Sequence, residues 1–133
     1  MKTIFPENMM KSTELSLEGI ASRLVWFELQ LHLVHWQTTG YASHMAIGSL
    51  YEYIHDFTDS CIEKLMGYAG RRINVFKLDP ISVVPPEGVI DDLMSFASDL
   101  KAFGDRNGYH DIGNLADSLS GEASKTKYLL TLS

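Results

Sequence analysis

Residues 43–69 read SHMAIGSLYEYIHDFTDSCIEKLMGYA, and this stretch predicts one long amphipathic helix. Apolar residues recur in it at spacings of three and four, which is the periodicity of a helix with one buried face. Ser43 is placed to cap this helix, and Gly70 is placed to end it. The predicted buried positions are Ile47, Leu50, Tyr51, Ile54, Phe57, Cys61, Leu65 and Met66.

Three further segments carry the same helical periodicity. The first is predicted to follow a cap at Ser12 or Thr13 and to stop near Thr38, with Gly40 as a left-handed terminator. The third runs from about residue 87 to residues 107–108, and Asp111 caps the fourth. The predicted buried residues are Leu17, Ile20, Leu24, Phe27, Leu31 and Val34 in the first helix, Ile90, Leu93, Met94, Ala97, Leu100 and Phe103 in the third, and Leu115, Leu119, Tyr128 and Leu129 in the fourth.

The links between these helices differ in length. The first and third are short, whereas residues 71–86, with prolines at 80, 85 and 86, form a long middle connection. Short outer links and a long middle one are typical of a four-helix bundle with a crossover, as in ferritin-like folds. We therefore predict an all-α, ferritin-like four-helix bundle over residues 13–133, with a long crossover between helices 2 and 3. Residues 1–12 are predicted to form a flexible N-terminal arm.

Composition and charge argue against several classes of function. The chain has 133 residues, is 45% hydrophobic and carries a formal charge of −6. A negative charge without a compensating Lys/Arg block argues against DNA binding, and no apolar run has the length of a membrane span. A single cysteine, Cys61, suits a reducing compartment, and we expect it to be a small buried apolar side chain. The sequence therefore predicts a single cytoplasmic domain.

Two imidazoles and two carboxylates, those of His35, His44, Asp59 and Glu63, form the candidate metal site. At about 1.5 Å per residue, His44 and Asp59 lie roughly 22 Å apart along the same helix. All four side chains can meet only if a second copy of the helix runs in the opposite direction. The sequence therefore predicts a metal site shared across a two-fold dimer.

The spacing of these residues resembles the signature of the Dps-like mini-ferritins. This chain has His32-Leu33-Val34-His35-Trp36, then Gly40, His44, Leu50-Tyr51, Asp59 and Glu63. The family pattern is His-x-x-His-Trp, a Gly, a His opening the second helix, Leu-Tyr and Asp-x-x-x-Glu.

The resemblance implies a ferroxidase centre at a dimer interface, where His35 and His44 of one subunit face Asp59 and Glu63 of the other. It implies iron as the metal, with zinc or another divalent ion as the alternative, and peroxide or oxygen as the oxidant. The implied function is iron oxidation and storage, with protection against iron and peroxide. The implied assembly is a two-fold homodimer that can build a dodecameric shell.

Two features depart from the family pattern. The segment between Gly40 and His44 is three residues shorter than is usual, and Gly48 stands where the family has an acidic ligand one turn after the second His. A missing carboxylate removes an oxygen ligand that iron favours. Further ligands, or residues of a cation path, are predicted at Glu52, His55 and Asp56, and site-adjacent packing is predicted for His32 and Trp36.

The sequence raises two alternatives to this site, and a lysine that would repel the metal disfavours the first. Glu52-Tyr53-Ile54-His55 is one Glu-x-x-His element, which di-iron bundles use twice within one subunit. The fourth helix offers only Glu122-Ala123-Ser124-Lys125, with a cation where the second His is needed. The alternative function is a non-catalytic helical dimer or adaptor with a degenerate metal site, in which Asp59 and Glu63 are simply a solvated helix face.

Overall fold

A computed structural model describes residues 15–132 of the chain. In this range the regular structure is entirely helical, which confirms the predicted all-α class with four helices. The helices are α1 (Leu17–Gln37), α2 (Tyr41–Ala69), α3 (Pro86–Asn107) and α4 (His110–Leu129), followed by a short 3-10 turn at Leu130–Leu132. The predicted N-terminal arm and the predicted caps at Ser12 and Thr13 lie outside the described residues.

The ends of α1 and α2 differ from the prediction. Ser16 caps α1, with its hydroxyl accepting a hydrogen bond from the Gly19 amide at 3.1 Å. Thr38 closes the helix, since its amide and hydroxyl both bond to the Val34 carbonyl. A left-handed terminator is therefore unnecessary, and the prediction for Gly40 is wrong. Gly40 has an extended φ of −83° and precedes α2, so Ser43 lies inside the first turn and does not cap it.

The glycines predicted to end α2 and α3 do so. Gly70 has a φ of 68° and Gly108 a φ of 71°, and this left-handed backbone is favourable for glycine. The fourth helix begins earlier than predicted, because the Tyr109 carbonyl already accepts from the amides of residues 112 and 113. Asp111 is consequently in the first turn of α4 rather than at its cap.

The predicted apolar faces supply most of the core, including the fully buried Phe27, Leu50 and Leu93, whereas Leu129 is only half-buried and the fully buried Phe96 was not among the predicted positions. Cys61 is fully buried, and burial raises the pKa of its thiol to about 12, as expected for a small apolar side chain. The prediction for Tyr128 is wrong, since this residue is 62% exposed. It lies on the side of α4 opposite to the buried Leu119. No helix in the described range has the length and apolar character that a membrane span requires.

The helices pack as two antiparallel pairs. In the α1–α2 pair, residues near the end of α1 contact residues near the start of α2, and Glu18 at the start of α1 contacts Arg71, just beyond the end of α2. In the α3–α4 pair, Asp91 bonds to Lys127 and Lys101 to Asp117. The α1–α2 pairing places the last turn of α1 beside the first turns of α2.

The connection between α2 and α3 runs along α1. It is held by four α1 side chains spaced four residues apart, so that they share one stripe of the helix. Their partners follow in the same order along the connection: Glu18 bonds to Arg71 and the Asn74 amide, Ser22 to the Lys77 carbonyl, Trp26 to the Pro80 carbonyl, and Gln30 to the amide and carbonyl of Ser82. The connection thus leads the chain from the start of α1 toward its end, where α3 begins.

Candidate metal centre

The end of α1 and the start of α2 bring His35 and His44 together. Their rings stack with centroids 3.9 Å apart and an angle of 22° between their planes. The Nδ1 of His35 lies 3.0 Å from the His44 carbonyl oxygen, and the Nδ1 of His44 lies 3.0 Å from the His35 carbonyl oxygen. Because a carbonyl only accepts, each Nδ1 donates, and in each neutral ring the lone pair is on Nε2. A backbone carbonyl that fixes this tautomer is a common arrangement for metal-binding histidines.

Gly48 on α2 lies directly against the His35 ring. A Cβ atom at position 48 would lie 2.7 Å from the His35 Cε1 atom and 3.0 Å from its Nδ1 atom, which is too close for ordinary packing. The imidazole therefore occupies the space in which a side chain at this position would begin. This contact gives a physical reason for glycine where the Dps pattern has an acid. A glycine one turn after His44 on a long helix was the signal of a close approach.

A matched pair of glycine substitutions tests this packing. We expect Gly48→Ala to lower the free energy of unfolding by about 1 kcal/mol, since the methyl group must displace a ring held by stacking and hydrogen bonding. Gly121→Ala in α4 is the control, because nothing lies within 4 Å of its added Cβ. It should gain up to about 1 kcal/mol from helix propensity. Urea unfolding measures both, and an equal gain in both variants would contradict the contact.

The two histidines open onto a cleft between α1 and α2. The cleft has a volume of about 400 Å³ and is lined by His32, His35, His44, Met45, Gly48, Ser49, Tyr51 and Glu52. The ring of His32 packs against both Trp36, at a centroid distance of 3.9 Å, and Tyr51, at 4.1 Å. Trp36 itself is 67% exposed. Of the predicted carboxylates, Glu52 alone lines this cleft.

The other predicted carboxylates lie farther along α2. Asp56, Asp59 and Glu63 are exposed and do not line the cleft. Within residues 15–132 of a single chain, no three His, Cys, Asp or Glu side chains are grouped to hold a metal ion. One chain therefore brings together the two imidazoles and keeps Asp59 and Glu63 apart from them, as the length of the helix requires.

His55 has a carboxylate partner that the sequence analysis missed. Its Nδ1 lies 3.3 Å from the Glu28 Oε2 oxygen. This hydrogen bond raises the pKa of His55, and the charges of Glu28, Asp56 and Asp59 add to the effect. Glu28 lies four residues before His32 on α1, a spacing that places it on the same face of the helix and could have suggested its role.

The two elements of the intrasubunit alternative do not converge. Glu52 faces the α1–α2 cleft. Glu122 lies on α4, where it pairs with Lys125 at 3.4 Å and adds to the effect of burial in raising the pKa of Tyr53. Their separate surroundings agree with the finding that no three potential ligands are grouped in the described part of one chain.

Comparison with known proteins gives one family. The sequence model of a family described as a family of unknown function (DUF5856) matches residues 35–130, which is most of the chain. No curated protein and no solved structure shows a significant match. The matched range begins at His35 and contains His44, Asp59 and Glu63 as well.

Proposed function

The chain belongs to the family of unknown function DUF5856, and we propose that it binds and oxidises ferrous iron at a site shared between two subunits. The observation that carries this proposal is the His35–His44 pair. Each ring is oriented by a backbone carbonyl at its Nδ1, which leaves the Nε2 of both rings as the coordinating atoms. His35 and His44 both line a cleft between α1 and α2.

The proposed donor set suits iron. Neutral imidazoles bind iron and zinc, and carboxylates favour a hard cation and stabilise the ferric state. Asp59 and Glu63 are exposed on α2, so they are available to a second subunit. In the proposed dimer two antiparallel α2 helices pack together, and the His44 of one subunit lies beside the Asp59 of its partner.

The packing of the helices supports a ferritin-like topology as part of this proposal. The α1–α2 and α3–α4 pairs are joined by a connection that runs along α1, which is how a crossover bundle links its halves. Each ferrous ion would give one electron to oxygen or peroxide. The ferric product would be stored if the dimers assemble into a closed shell.

Iron oxidation and assembly can be tested together. We expect light scattering to show a dimer or larger species, and aerobic Fe(II) addition to raise the ferric absorbance faster with protein than in buffer. His44→Ala should lose this activity, because it removes an imidazole ligand. His110→Ala, at an exposed position in the first turn of α4, is the matched control and should retain it. A monomer that oxidises iron no faster than buffer contradicts the proposal.

A second candidate function has its own observation. His35 and His44 each donate to the other's backbone carbonyl, and their rings stack on each other. The pair therefore stabilises the link between α1 and α2 without a metal. This favours the non-catalytic dimer or adaptor. A dimer that retains no metal after dialysis against Fe(II) or Zn(II), and whose melting temperature neither ion changes, would support this candidate.

A further inference from the structure

The Glu28–His55 pair is arranged like a metal-binding histidine that is oriented by a carboxylate. The carboxylate of Glu28 accepts a hydrogen bond from Nδ1 of His55, so Nε2 is the remaining coordinating atom of the ring. The His55 side chain is 64% exposed and that of Glu28 only 20%. A carboxylate behind a histidine is an arrangement that orients metal-binding imidazoles and raises their basicity. In its own chain His55 does not line the cleft of His35 and His44.

The register of the proposed dimer determines what His55 faces. At 3.6 residues per turn, the α2 positions 44, 48, 55 and 59 fall within about 60° of one another around the helix axis. If His44 is level with the partner's Asp59, each step forward along one helix is a step back along the other. Gly48, four residues after His44, is therefore level with the partner's His55, four residues before Asp59.

Gly48 supplies no ligand at its own level of the site. It has no side chain, and the His35 ring already fills the space where one would begin. In the antiparallel register described above, the residue of the partner helix at this level is His55. We propose that the partner's His55 coordinates the shared metal ion through Nε2, with Glu28 as its positioning residue. This inference rests on the proposed shared site, and it adds a third imidazole where the Dps pattern has an acid.

Metal affinity tests the role of His55 directly. Anaerobic calorimetric titration measures the affinity for Fe(II). His55→Ala should bind Fe(II) at least about 10-fold more weakly, because a ligand is lost. Glu28→Gln should weaken binding on the order of 10-fold, because the carboxylate behind the imidazole is replaced by a neutral amide. His110→Ala is the matched control and should bind like the unaltered protein. Circular dichroism verifies that each variant is folded.

A mixed dimer shows which subunit supplies His55. A dimer of one His44→Ala and one His55→Ala subunit should bind at one site of unaltered affinity, because both defects fall in the same site and the other site is complete. If His55 instead served the site of its own chain, neither site would be complete and none would regain full affinity. That result, or unaltered binding by the His55→Ala homodimer, overturns the inference.

The shared site itself is tested separately, by the mixed dimer of His44→Ala with Asp59→Ala. If that dimer regains a site while His55→Ala binds normally, the role of His55 is wrong and the proposed function stands. If it regains no site, the shared-site function and the role of His55 both fail.

Discussion

A mixed dimer of one His44→Ala and one Asp59→Ala subunit should bind metal at one site, whereas neither homodimer should bind any. The reason is geometric: the two residues lie roughly 22 Å apart on one helix, so a single site must draw them from different subunits. In the mixed dimer both defects fall in the same site, and every ligand of the other site is present. Subunits with two different affinity tags allow the mixed species to be purified, and Fe(II) titration gives its stoichiometry.

A second mixed dimer provides the matched control. His35 and His44 belong to the same half of each site, since their rings stack within one chain. A dimer of His35→Ala with His44→Ala therefore has one defect in each site and should bind no metal. It carries the same number of substitutions as the first dimer, so only their distribution differs. Equal metal binding by the two mixed dimers, with both folded, would show that the site is not shared.

The helical faces could be predicted because burial repeats with the period of the helix. Phe27, Leu50 and Leu93 all lie at such predicted positions, and all are fully buried. Tyr128 was wrongly placed because it does not keep this period: it follows the buried Leu119 by nine residues, which is half a turn around the helix.

Helix ends were less predictable because several residues compete to form them. Gly40 and Ser43 are both residues that favour helix termini, but Thr38 closes α1 before either is needed. The two glycines that do end helices, Gly70 and Gly108, stand directly after long periodic runs. The sequence thus identified that α1 ends near Thr38, and the local bonds from Thr38 to the Val34 carbonyl determine where.

The candidate site likewise contains some contacts that could be predicted from the sequence and others that could not. His35 and His44 could be paired from sequence because they lie at the facing ends of consecutive helices. The spacing of Glu28 and His32 places both on one face of α1, but it does not show that Glu28 pairs with His55, which lies 27 residues away. A glycine at position 48 indicates a close approach, but the side chain that makes it depends on the rotamer of His35, which no sequence pattern specifies. What the sequence lacked was the set of contacts made between helices.

Contacts between α1 and the connection that joins α2 to α3 hold that connection in place. Removing one of them with Gln30→Ala should be strongly destabilising. Gln30 is fully buried, and its amide donates to the Ser82 carbonyl at 2.7 Å and accepts from the Ser82 amide at 3.0 Å. Truncation removes both hydrogen bonds and leaves a cavity, which together should lower the free energy of unfolding by about 2–4 kcal/mol.

Two measurements separate this local role from general damage. Gln37→Ala is the matched control, since Gln37 is exposed in the last turn of α1, and its unfolding free energy should change by no more than about 0.5 kcal/mol. Trypsin reports on the connection itself, which carries Arg71, Arg72 and Lys77. Cleavage there should be faster in Gln30→Ala under native conditions. In this variant the connection loses its attachment to α1 at Ser82, and the nearest remaining attachment is the one at Trp26. Unchanged cleavage together with unchanged stability would mean that the Gln30–Ser82 pair does not hold the connection in place.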